Sequence, residues 1–293
     1  MVRYWPTWLG LGALWLLVQL PFGVQLRVGA LLGDVSYLLA RSRRRIARIN
    51  IDLCFPEWTA EARHKLLRDH FRSLGIAILE TGFAWWGRQE RLAPLLRVVG
   101  LEHLQAAQQQ GKGVVLLGGH MTCMEVVGRL FTMHHSPVAA IYRRHGNPVM
   151  EAVTTRFRDT YFPRTIPREN TRAILRALKD GFTVWYAPDQ DFRRHHVFAP
   201  FMGVTATSLT ATARIAKLSG APVVPILLKR LPGVSGYEVT LLPPLEGFPG
   251  GDDVADATRI NQVTERLVRA APEQYLWVHR RFKTRPKGEK KFY

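Results

Sequence analysis

The chain has 293 residues, 47% of them hydrophobic, and its 41 Lys and Arg against 23 Asp and Glu leave a net charge of +18. That length can bury a sizeable core in one domain with an appendage, and the two cysteines, Cys54 and Cys123, exclude a disulfide framework and suit a reducing compartment. The strong positive charge restricts the partners to anionic ones, a membrane surface, an acidic protein or a nucleic acid.

In chain order, no charged residue occurs between Tyr4 and Leu26, and WLGLGALWLLVQLPFG is long enough for roughly one bilayer-spanning helix. The aromatic residues, Pro6 and Pro21, and the lack of a small-residue cleavage site argue against a secretory signal, so a retained N-terminal membrane helix or embedded hairpin is expected. Arg41, Arg43, Arg44, Arg45 and Arg48 follow at once, and by the positive-inside rule they hold the body of the protein in the cytoplasm. Between residues 57 and 90, Leu66, Leu67, Phe71, Leu74 and Ile78 recur at helical spacing, which predicts two helices.

After Pro94 the pattern changes. A helix LEHLQAAQQQ ends at Gly111, and GVVLLGG reads as a short buried parallel strand. PVAAIY predicts a strand, NTRAILRALKDG a helix, FTVWYAP a strand, TATSLTATARIAKLSG a helix, APVVPILLKR a strand, YEVTLLPPL another, and DATRINQVTERLVRAAP a last amphipathic helix. Strands alternating with helices of this length predict an α/β fold with a mostly parallel central sheet flanked by helices. No internal repeat or low-complexity linker divides the body.

His120 and Glu125 stand where the apolar strand gives way to a helix. The same spacing recurs in His64 and Asp69, but that pair lies inside an amphipathic helix, where five positions turn through roughly 140° and point the side chains apart. His120 differs because Gly118 and Gly119 allow a sharp turn at the strand's carboxyl end, where open α/β sheets place ligands. A histidine held by a carboxylate is a general base. The absence of a G-x-S-x-G turn then favours direct attack by a substrate hydroxyl over a covalent enzyme intermediate.

Several blocks carry a family resemblance almost from end to end. They are YWPTWLGLGALWLLVQLPF, INIDLCFPEW, LETGFAWW, LLGGHMTCMEVVGR, IYRRHGNPVME, LKDGFTVWYAPDQDF, FAPFMGVTATSLTATARIAKLSGAPVVP and PEQYLWVHRRFKTRP. The chain resembles the late acyltransferases of lipid A biosynthesis, within the lysophospholipid acyltransferase superfamily, and among them most the lauroyl-type branch. The resemblance implies a glycerol-3-phosphate acyltransferase-like fold. It divides the chain into a membrane anchor over 1–30 and an acyltransferase domain over 31–293, mainly helical to 92 and an α/β catalytic core from 93.

The implied reaction moves a fatty acyl chain from acyl carrier protein to a hydroxyl of an acylated, Kdo-bearing lipid A precursor, at the cytoplasmic face of the bacterial inner membrane. Another glycolipid or an aminolipid is the alternative acceptor on the same fold. His120 and Glu125 map onto the family's His-x4-acid dyad, and Arg143 onto a block whose arginine is assigned to anionic substrate groups. Asp189 and Gln190 fall on the third block, although the Glu-Gly of its glycerolipid members is absent. Acyl carrier protein, the lipid A precursor and an anionic membrane would then be the partners of the basic body.

Arg144, Arg164 and Arg168 are further anion contacts by position. His195 and His196 have no matching third ligand, so no metal is assigned, and no cofactor is implied. Arg280, Arg281, Lys283, Arg285 and Lys287 read as contacts to anionic headgroups, and Trp85 and Trp86 as interfacial or core residues. No nucleic-acid motif accompanies the spread positive charge, so nucleic acid is set aside.

Overall fold

A computed structural model describes residues 2–135, 137–192 and 195–293. Four helices open the chain: α1 (Trp5–Leu17), α2 (Phe22–Leu39), α3 (Arg41–Cys54) and α4 (Ala60–Trp86). The fourth starts where Thr59 accepts the Ala62 N–H through its hydroxyl, as an N-cap should. It crosses α2 at very close range, because Gly29 and Gly33 on α2 meet Gly75 on α4. A Cβ on Gly29 would lie 2.6 Å from the Ile76 Cα, and one on Gly75 would run into the carbonyl oxygen of Gly29.

The expected membrane helix is corrected here. Among the described residues, no helix is long and apolar enough to cross a membrane. Pro21 separates α1 from α2, and the 13 residues of α1 span only about 20 Å at 1.5 Å per residue. The 18-residue α2 carries Gln25, Arg27 and Asp34, and packs Gln25, Gly29 and Gly33 into the protein. An inner-membrane anchorage by a spanning N-terminal helix therefore falls. The expected division at residue 30 lies inside α2.

The remaining elements build the α/β body. They run α5 (Gln89–Leu92), β1 (Leu96–Val99), α6 (Leu101–Gln108), β2 (Val114–Leu117), α7 (Met124–His134), β3 (Val138–Tyr142), α8 (Pro148–Tyr161) and β4 (Arg164–Pro167). Then come α9 (Thr171–Lys179), β5 (Thr183–Tyr186), β6 (His196–Phe201), β7 (Val204–Leu209), α10 (Ala211–Ser219), β8 (Val223–Arg230), β9 (Tyr237–Leu241) and α11 (Asp253–Ala270). The sheet order is β1-β9-β8-β2-β5-β3-β4, with every pairing parallel except β8 with β9. This is the mostly parallel sheet that the alternation predicts.

Both faces are covered. Val114 and Leu116 of β2 face a core shared with α4 and α7, while Val115 and Leu117 face one shared with α9, α10 and α11. A strand buried on both faces reads as an unbroken apolar run, which is why GVVLL is so uniform. The sequence reading extends a helix back to residue 205, whereas residues 204–209 form β7, paired antiparallel with β6. Val204, Thr205 and Thr207 are β-branched and suit a strand, and the helix begins only at Ala211. Residues 164–167, where no strand was expected, form the edge strand β4.

Candidate active site

Leu117 closes β2, Tyr186 closes β5, and the two are register partners in parallel strands. Three residues beyond each lie His120 and Asp189, so the register brings them to the same edge of the sheet. The His120 Nδ1–H donates to Asp189 Oδ1 at 2.6 Å, and the His120 backbone N–H donates to Asp189 Oδ2 at 3.0 Å. The carboxylate is buried, whereas 26% of the imidazole side chain is exposed, so the ring has one side in the protein and one toward the outside.

The electrostatics follow from that placement. Burial alone pushes the His120 pKa down, but the charge and hydrogen bond of Asp189 outweigh it and hold the ring above the ordinary 6.5. The Asp189 carboxyl, despite burial, is kept well below the usual carboxylate range by the same partner and by the His120 N–H. With Nδ1 donating to the carboxylate, Nε2 carries the free lone pair of the neutral ring. The pair has the arrangement of a general base with its orienting acid.

Glu125 lies elsewhere. It lies in the first turn of α7, and Arg158 of α8 clamps its carboxylate through Nη2 at 2.8 Å and Nε at 3.3 Å. The ring of His120 is therefore oriented by Asp189, which the resemblance placed on the third block without pairing it to His120, and Glu125 is paired with Arg158, which the sequence reading did not single out. The decoy separates as expected from helix geometry: Asp69 takes Lys65 at 2.5 Å, and His64 sits edge-on to Tyr37.

The loop carrying His120 is held from behind. Thr122 N–H donates to the Gln274 carbonyl at 2.7 Å, Leu276 N–H to the His120 carbonyl at 3.0 Å, and Met121 bridges Tyr275. The Gln274 amide also pairs both ways with the Arg230 backbone, at 2.7 and 3.0 Å. The Arg230 guanidinium, in turn, is gripped by Glu80 at 2.6 Å through two bonds and donates to Ser73 at 2.9 Å, and Ser73 shares a hydrogen bond with Thr122. Further along, His279 Nε2 accepts the Asp191 N–H at 3.1 Å, and burial lowers its pKa to about 4, which keeps it neutral in that role. None of these buried residues stands in a recognisable spacing, so only a fold could gather them.

The other expected residues divide. Arg143 and Arg144 are exposed and, with Arg168, line an open depression of about 680 Å³ beyond the end of β3. Arg164 is occupied by Asp180 at 2.7 Å and lies over Phe182, and Arg168 pairs with Glu169 over Phe192. Gln190 is half-buried beside Asp189. Arg281 and Arg285 are not surface headgroup contacts: Arg281 is 3% exposed and donates to the Thr207 carbonyl, and Arg285 donates to the Thr205 carbonyl. Trp85 is core, stacked on Phe157 at 5.5 Å. His195 is exposed, and His196 opens β6 against Phe198.

Comparison with known proteins adds an independent line. A family model described as bacterial lipid A biosynthesis acyltransferase matches residues 1–284. The chain is 43% identical over 293 residues to the lipid A biosynthesis palmitoleoyltransferase of Escherichia coli (strain K12), covering 99% of this chain and 95% of that one. It is 40% identical to the lipid A biosynthesis lauroyltransferase of the same organism, over 98% and 94% of the two chains. The myristoyltransferase of that organism is 28% identical, over 98% and 90%. The likeness thus reaches relatives named for three different acyl groups and does not single out the lauroyl-type branch.

Proposed function

We propose, since this chain belongs to the bacterial lipid A biosynthesis acyltransferase family, that it transfers a fatty acyl group from acyl carrier protein to a hydroxyl of a Kdo-bearing lipid A precursor. Its activity as an acyl-transferring enzyme of lipid A biosynthesis follows from that membership. The donor, the acceptor and the residue roles are the proposal. The observation that carries it is the His120–Asp189 pair, with a half-open imidazole at the carboxyl ends of two adjacent parallel strands.

In this reading Nε2 of His120 takes the proton of the acceptor hydroxyl as its oxygen attacks the thioester carbon. The carbon–sulfur bond then breaks, and the imidazolium returns the proton to the departing thiolate. Asp189 fixes the tautomer and stabilises the imidazolium. The N–H groups of Glu125 and Val126, in the first turn of α7, have no acceptor within the helix and are suited to the negative oxygen of the tetrahedral intermediate. Arg143 and Arg144 offer cations to the phosphates and carboxylates of the acceptor. The net charge of +18 steers both an acidic carrier protein and an anionic lipid toward the enzyme.

The acceptor lies in a lipid surface, and α1 and α2 provide a face for one. Among the described residues, eleven of the sixteen exposed large apolar side chains are on these two helices, Trp5, Trp8, Leu9, Leu31 and Leu39 among them. Four exposed arginines of α3, Arg41, Arg43, Arg45 and Arg48, come next in the chain. An apolar face beside a cationic one is the pattern of helices that lie in an anionic interface without crossing it.

The test is transfer by purified protein from lauroyl and palmitoleoyl acyl carrier protein to a Kdo-bearing tetra-acylated precursor. Activity in wild type, and loss of about 10²–10⁴-fold or more in His120→Ala and Asp189→Ala with His64→Ala unaffected, is the expected result. Transfer only to a different glycolipid would overturn the acceptor. Near-normal activity in His120→Ala would overturn the base.

A further inference from the structure

The stretch from Trp277 to Tyr293 carries the exposed cations Arg280, Lys283, Lys287, Lys290 and Lys291. Its one acidic side chain, Glu289, is paired with Arg285. The stretch is tied down beside the reacting pair. Leu276 N–H donates to the His120 carbonyl at 3.0 Å, and His279 Nε2 accepts the Asp191 N–H at 3.1 Å. Thr284 donates to the Asp191 carboxylate twice, through its N–H at 3.0 Å and its hydroxyl at 3.1 Å. Asp191 is two positions past Asp189, so the stretch that bears the cations runs along the edge where His120 and Asp189 meet.

Its approach differs from that of the arginines past β3. Gln274 pairs with the backbone of Arg230, the last residue of β8, so the chain comes to the pair from the β8 side. Arg143 and Arg144 follow β3, and β2 and β5 lie between β8 and β3 in the sheet. Asn147, just past those arginines, donates to Thr7 of α1 at 2.9 Å, so the β3 side adjoins a helix offered to lipid. An acceptor held in the lipid surface therefore meets Arg143 and Arg144, and a donor arriving from solution is left the other side.

An anionic headgroup is the rival occupant, because α3 borders the stretch through Asn50, which donates to the Trp277 and His279 carbonyls. The apolar side chains favour the protein. Among the described residues, no exposed large apolar side chain lies between 271 and 293, whereas α1 and α2 carry eleven. Interfacial segments set cations beside apolar side chains, and a surface of cations alone suits an acidic protein.

We propose that this stretch is where the acyl carrier protein docks, with Arg280, Lys283 and Lys287 meeting acidic side chains of the carrier at the rim of the site. The inference rests on the acyl-transfer reading above and adds where the donor is received. Rim charges of this kind act chiefly on the rate of encounter and make it sensitive to salt.

The experiment sets wild type beside two variants that each lose three positive charges. One is Arg280→Gln with Lys283→Gln and Lys287→Gln. The other is Lys112→Gln with Lys179→Gln and Lys217→Gln, exposed lysines that precede β2, β5 and β8 and so lie at the opposite edge of the sheet. The KM for lauroyl acyl carrier protein, the Kd of the acyl-free carrier and the KM for the acceptor are measured over a salt series, with vesicle co-sedimentation alongside. The first variant is expected to raise both carrier values about tenfold or more at low salt, the gap closing as salt rises, with acceptor KM and vesicle binding as in wild type. The second should stay close to wild type throughout. Equal losses in the two variants would reduce the effect to net charge, and loss of acceptor or vesicle binding alone in the first would assign the stretch to headgroups. Either result overturns the inference, as does a first variant that matches wild type in every measurement. In each of these cases wild type still uses the carrier and the function stands, whereas failure of wild type to use any carrier-bound donor sinks both.

Discussion

At His120, burial and charge act in opposite directions, and if the ring is the base proposed above, the outcome decides the pH at which it works. Asp189 holds the imidazole pKa above 6.5 against the downward push of burial. Since only the neutral ring can take a proton, the ascending limb of kcat/KM in wild type should lie above pH 6.5. Asp189→Asn removes the charge and leaves burial dominant, so the limb should move to lower pH as the maximal rate falls about 10²–10⁴-fold. Glu125→Gln should leave the limb where it is, because the Glu125 charge is already neutralised by Arg158. Stopped-assay pH profiles of the three proteins check this, and a limb that moves only in Glu125→Gln would restore Glu125 as the orienting acid. The histidine was legible because two glycines precede it at a strand end. Its partner was not, because the separation of 69 positions between His120 and Asp189 is closed only by the register of β2 with β5.

Among the elements, the crossing of α2 and α4 has the least tolerance. Replacing glycine by alanine inside a helix ordinarily stabilises by up to about 1 kcal/mol, since alanine is the better helix former. At Gly75 the sign should reverse, because the added methyl meets backbone of α2, which cannot rotate away as a side chain can. Gly75→Ala is expected to destabilise by about 1–3 kcal/mol and Gly10→Ala, in open space on α1, to be neutral or slightly stabilising. Urea unfolding of the two variants decides, and equal midpoints would mean that the helices separate at little cost. The crossing also shows why parts of the chain misled. Gly29 and Gly33 lie beyond the apolar run of residues 4–26 and were not singled out, yet they are the surface by which α2 enters the protein. The central strands, by contrast, were readable from their apolar runs, since burial on both faces leaves no alternation to confuse.

For the molecule as a whole, the asymmetry of its surface matters more than its net charge. Apolar exposure gathers on α1 and α2, four exposed arginines follow on α3, and neither helix of the first pair is long and apolar enough to cross a bilayer. Hydropathy alone merged these helices into one span, because a window over residues 4–26 takes no account of the break at Pro21 or of the face that α2 buries. An interfacial placement predicts binding to vesicles that needs both components. Purified protein should bind phosphatidylglycerol-containing vesicles more tightly than neutral ones, with each arginine near the surface worth about 1 kcal/mol and the charge term weakening as salt rises. Replacing Arg41, Arg43, Arg45 and Arg48 together by glutamine should therefore remove most of the preference for anionic lipid and leave a weaker, salt-insensitive remainder. Trp5→Ser with Trp8→Ser should reduce that remainder instead. Co-sedimentation across a salt series separates the two contributions, and binding that survives both sets of substitutions would show that the lipid surface is met by another part of the molecule.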